Sequence, residues 1–162
     1  MARGYAQLSV SGAVVAKLSA KCSVLINGNG AKVSGGKQTQ IRIKTAKDWC
    51  DYYGVAVRRG IATLYKALNA DFTSPQGFSY TPGTKPEAPD WDGGKQECGG
   101  GLHFSPSPAM ARAFHAEAKK YAACPVRLSD IAIHPNGDYP EKCKAREVCG
   151  PIYEVNEDGD RI

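Results

Sequence analysis

The run Cys98-Gly-Gly-Gly-Leu-His-Phe-Ser-Pro-Ser-Pro108 concentrates residue types that can hold an anion. Consecutive glycines let a backbone turn sharply or let a ligand come close. Gly100 and Gly101 therefore join His103 and Ser105 as candidate binding residues. Ser107 is a good helix cap and Pro108 suits the first helical position. Met110, Ala113, Phe114 and Tyr121 recur at helical spacing, so a principal helix is expected from Ala109 to Ala123. Its N-terminus would face the corner holding His103 and Ser105, and a helix N-terminus favours negative charge. Arg58 and Lys66 are candidate cations for that corner, and Tyr80 and Trp91 candidate aromatic walls. Such a pocket would take a nucleotide-like or other anionic small molecule. For His103 a hydrogen bond to backbone, fixing the glycine turn, is an equal reading.

Other chemistries lack their residues. There is no Gly-x-Ser-x-Gly, no phosphate-loop signature and no His-Glu-x-x-His. No pattern matches a helix-turn-helix, so sequence-specific DNA binding is not expected. Six cysteines, at 22, 50, 98, 124, 143 and 149, form no Cys-x-x-Cys pair. They read as reduced thiols, several buried, with no metal site.

Hydrophobic residues make up 42% of the 162 and charged residues 23%, ordinary for a globular chain. The charge is unevenly placed. Residues 1–47 hold Arg3, Lys17, Lys21, Lys32, Lys37, Arg42, Lys44 and Lys47 and no acid, which leaves −3 for the remainder of a chain whose net charge is +5. A segment without acids attracts an anionic partner, or serves as a solvated face that keeps strand edges from pairing. No apolar run approaches the roughly 20 residues of a membrane helix. No export signal core stands at the N-terminus, so a cytoplasmic location is expected.

The elements that must position these residues follow from periodicity. Short strands separated by Gly/Asn turns occupy residues 5–44, a rhythm suited to a β-solenoid or a meander, capped by the rest of the chain or joined to a second copy. Thr45-Ala-Lys-Asp48 starts a short helix ending at Gly54, and its Trp49, Tyr52 and Tyr53 read as a plug rather than a base-stacking platform. Ile61–Leu68, Leu102–Phe104, Tyr121–Leu128, Ile131–Ile133, Glu141–Val148 and Pro151–Val155 read as strands, and residues 69–97 as a long packed loop. The expected fold is α+β, with a basic β-repeat segment at 1–46, a mixed domain with one principal helix at 47–155 and a fraying polar, acidic tail at 156–162.

Two resemblances extend this reading. The line from Leu64 to Tyr80, then Cys98 to Pro108, then Lys142-Cys-Lys-Ala-Arg146, resembles an uncharacterised domain common in bacteriophage genomes, where it often follows short β-repeats. That resemblance implies phage or prophage origin and no known activity; the basic pocket itself suits a phage-type protein that binds a small anion or a host protein in the host cytoplasm, with blunting of host defence as one role. The order of elements is also similar to the ADP-ribosyltransferase superfamily. Lys66 stands where that family has Arg or His, and Gly101-Leu-His-Phe-Ser105 stands in its second motif. This resemblance implies NAD as cofactor and Glu141 or Glu147 as the catalytic carboxylate. A structural module that oligomerises through residues 5–44 is the third reading.

Overall fold

The period-two segments at the N-terminus stack in parallel and do not form a meander. The computed structural model describes residues 7–27, 30–41 and 43–162. The chain divides into two units, Met1–Ile43 and Lys44–Ile162. In the first, β1 (Gln7–Ser11), β3 (Ser23–Asn27) and β5 (Lys37–Ile41) form one parallel sheet, and β2 (Val15–Lys17) and β4 (Lys32–Ser34) a second. Gln7 pairs with Ser23, and Ser23 in turn with Lys37, so the chain circles back to the same edge as in a solenoid. Inward positions stack in rows: Val24 and Ile26 are buried with Leu18 and Cys22, and Leu8 and Val10 pack on them. Lys17, Lys32 and Lys37 are exposed. Arg3, Arg42 and the Gly28-Asn29 turn lie outside the described residues.

The second unit opens with α1 (Ala46–Tyr53), whose Thr45 and Asp48 form a reciprocal capping box. Trp49 is fully buried and donates from Nε1 to the Pro140 carbonyl at 2.8 Å, so it is core and not a stacking platform. The strands β6 (Val57–Arg58) and β7 (Ile61–Leu68) form a hairpin. Arg59 and Gly60, both with positive φ, make its two-residue turn. After the long loop come β8 (Leu102–Phe104), α2 (Pro108–Arg112), β9 (Lys120–Arg127), β10 (Ala132–Ile133), β11 (Cys143–Ala145) and β12 (Tyr153–Val155). They complete two antiparallel sheets, ordered β12-β9-β7-β6 and β10-β11-β8. The fold is α+β. No helix among the described residues is long and apolar enough to cross a membrane.

Two expectations are corrected. The principal helix is α1, because the helix expected from Ala109 to Ala123 stops at Arg112. Tyr121 to Ala123 belong instead to β9, paired with β7 over eight positions from Leu68–Lys120 to Ile61–Arg127. A full ladder between buried strands outweighs the helical preference of Ala122 and Ala123, since propensity differences are only tenths of a kcal/mol per residue. The tail is also fastened rather than frayed. The Asn156 side chain accepts from the amides of Asp158 and Asp160, and Val155 bridges Arg161.

Candidate functional site

Strand alternation places Lys66 in a row meant for the core. Residues two apart on β7 share a face, and Ala62, Leu64 and Leu68 of that row are buried. Lys66 pairs with Ala122, whose own row continues with the fully buried Cys124 and Val126. The backbones of the two sheets join where Tyr65 and Ser105 exchange hydrogen bonds of 2.9 Å. Beside that tie a cavity of about 490 Å³ opens, and Lys66 lies in its wall. Its ammonium donates to the His103 carbonyl at 3.0 Å and sits 5.4 Å from the centre of the Tyr80 ring. No carboxylate among the described residues lies within ion-pair distance of it. Burial pushes its pKa down to about 8, and the Lys142 charge adds to the fall.

Lys142 lines the same cavity. Its ammonium lies 3.0 Å from the Cys98 sulfur and 4.8 Å from the centre of the Tyr139 ring. The carboxylate in the lining is Asp90, which accepts from the Gly101 amide at 3.1 Å. Phe78, Tyr80, Phe104 and Phe114 supply apolar wall. The volume falls in the usual range for small-molecule sites, about 300–1,000 Å³.

His103 also lines the cavity, with Nε2 3.2 Å from the Glu97 carbonyl oxygen. Burial, followed by the charges of Lys66 and Lys142, pushes its pKa down to about 4. The folded protein therefore keeps this ring neutral where the unfolded chain, at 6.5, takes up a proton. The His103 contribution to stability is complete above pH 6.5 and declines as the pH falls to about 4, by roughly 1–2 kcal/mol once solvent screening is allowed for. Denaturant titrations of wild type and His103→Asn across that interval check this, and the variant should show a flatter profile. Asp48, Asp71 and Asp92 are all held below the usual 3.8 by hydrogen bonds, so their losses come at lower pH.

The structure brings together Lys66, Tyr80, Gly101, His103 and Ser105 in the lining. Ser105 is buried and spends its backbone on the sheet tie. Arg58 is exposed on β6 and outside the cavity. Trp91 and Gly100 stand behind the lining. A Cβ on Gly100 would lie 1.7 Å from the Asp90 carbonyl oxygen, and one on Gly101, at φ 128°, 2.8 Å from the Trp91 ring. One face of the glycine run is thus closed by the chain's own residues 90–91. Glu141 and Glu147 do not line the cavity either, and Glu147 pairs with Arg127 at 2.9 Å. The helix starts where expected, with Ser107 as cap and Pro108 first, but α2 has only five residues, and Ala111 near its C-terminal end, not its N-terminus, lines the cavity.

Some functional positions were not evident from spacing. His115 lines the cavity and bonds the Asn69 side chain at 3.0 Å. Lys142 reaches the site only because β11 pairs with β8, setting Cys143 opposite Phe104. The adjacent Lys144 is fully buried and holds both Asp92 oxygens at 2.7 Å and the Gly100 carbonyl at 3.0 Å. It fastens the 90–100 loop behind the cavity. Among the described residues no group of three or more His, Cys, Asp or Glu is placed to hold a metal ion.

A family model described as a domain of unknown function (DUF7666) matches residues 62–158. No curated protein and no solved structure matches the chain. The matched span contains every residue that lines the cavity. With well over half its length in that match, the chain belongs to the DUF7666 family.

Proposed function

We propose that this domain binds a small anionic ligand, nucleotide-like in size, in the cavity beside Lys66. The observation that carries the reading is a half-buried ammonium in the cavity wall with no carboxylate partner among the described residues. A buried charge is costly unless it is paired, and a ligand anion would complete the pair. Lys142 supplies a second cation, and the aromatic wall suits a ring or other apolar portion of the same molecule. The role that fits is that of a phage-type binding protein acting in the host cytoplasm, where capture of a nucleotide-like molecule would blunt host defence. A transferase acting with NAD would call for a late glutamate at the cavity, and neither Glu141 nor Glu147 lines it.

Calorimetry of the full chain against nucleotides, cyclic dinucleotides and inorganic pyrophosphate tests this. At least one anion should bind with a melting shift that grows with its concentration, as mass action requires. Lys142→Met should weaken that binding about tenfold, the loss of one charge-assisted contact worth ~1.4 kcal/mol. Absence of binding across the panel would remove the reading.

A further inference from the structure

The amine of Lys66 has the surroundings of a nucleophile as well as those of a counter-charge. It lies in the row of buried residues on β7, its head against an aromatic ring and one carbonyl, open to a cavity that admits a small molecule. A lysine becomes nucleophilic when an apolar site or a neighbouring cation disfavours its proton. Both conditions meet here: Tyr80 and Phe104 line the same wall, and Lys142 lines the same cavity. From this juxtaposition we infer that Lys66 captures a small aldehyde bearing an anionic group, forming an imine, while Lys142 holds the anion. The inference rests on the anion-binding reading of the same cavity.

The step balances without a further reactant. The free Lys66 amine attacks the carbonyl carbon to form the C–N bond. The carbonyl oxygen leaves as water, carrying the two hydrogens that the amine loses, and nothing is oxidised or reduced. With Lys66 at about 8 against an ordinary 10.5, its free-amine fraction at pH 7 exceeds that of an exposed lysine by roughly two orders of magnitude. Cys98 beside Lys142 could add to the same carbonyl, but that adduct reverts and borohydride does not trap it as a stable amine.

The test uses pyridoxal 5′-phosphate as the probe, on the full chain, followed by borohydride reduction and peptide mapping by mass spectrometry. The expected result is one label per chain at limiting probe, carried by Lys66, and a requirement for at least tenfold more probe when pyridoxal without phosphate is used. Lys66→Arg keeps a cation and a donor for the His103 carbonyl but has no amine able to form an imine, so it should lose the label. Cys98→Ser should be labelled as wild type. A label spread over exposed lysines such as Lys37 and Lys95, without preference for Lys66, overturns the inference. If the anion panel still binds in that case, the binding reading stands; if it does not, both fall.

Discussion

At pH 7 the Lys66→Met protein is more stable than wild type by roughly 2 kcal/mol and no longer binds the anion. Burial lowers the lysine from 10.5 to about 8, a penalty of about 3 kcal/mol on the charged form. Methionine matches the length of the stem and carries no charge. It leaves the His103 carbonyl without this donor, which returns about 1 kcal/mol of the gain. The pH dependence has a definite sign. Between about 8 and 10.5 the unfolded chain still holds the proton that the folded chain has released. The contribution of Lys66 is therefore most unfavourable below pH 8 and is relieved as the pH rises to 10.5. Buried thiols and phenols oppose this trend in wild type: Cys124 and Tyr53 are each pushed up to about 12, so they stay protonated when folded and ionise when unfolded. The difference between wild type and Lys66→Met cancels Tyr53 and, apart from its coupling with Lys66, Cys124. It should shrink steadily from pH 8 to 10.5 in denaturant titrations. A variant less stable than wild type at pH 7 would show Lys66 to be a structural strut, not a binding group left without its counter-charge.

Gly100→Ala is expected to lose about 3 kcal/mol or more, at the upper end of overpacking effects, and most anion binding with it. Its Cβ would meet backbone, the Asp90 carbonyl oxygen at 1.7 Å, so no rotamer change relieves the contact. Either residues 90–92 move out or the glycine run moves into the cavity. Both displacements pull on the Gly100 carbonyl and on Asp92, the acceptors of the buried Lys144 ammonium. Gly77→Ala separates this effect from loss of backbone freedom. That glycine has φ 84° and open space around its added Cβ, so it should cost only about 1–2 kcal/mol and leave binding intact. Equal losses in the two variants would show that contact with Asp90 is not what requires glycine at position 100.

Local pattern carried much of the fold. Apolar alternation marked Ile61–Leu68 as a strand at its observed bounds, and Thr45 with Asp48 marked the start of α1. The failure came at residues 113–123, where alanine spacing suits a helix; residues 113–119 form turns and 120–123 pair with β7 as strand. The helix start at Ser107 and Pro108 formed as expected, but its N-terminus does not line the cavity on which the anion corner had been placed. Lys66 and His103, on the strands β7 and β8 that the pattern marked, line one cavity with Tyr80 and Gly101 from the loops.

By itself the sequence determined the short-range elements: the turns, the caps, the alternating strands and a basic N-terminal segment without acids. Each depends on residues a few positions apart, so each is written in local spacing. Which side of β7 faces inward, which lysine lacks a carboxylate and which face of the glycine run is closed were decided by tertiary structure alone. Those depend on residues such as Asp90, Ala122 and Lys142, far apart in the chain, which come together only when the sheets pair.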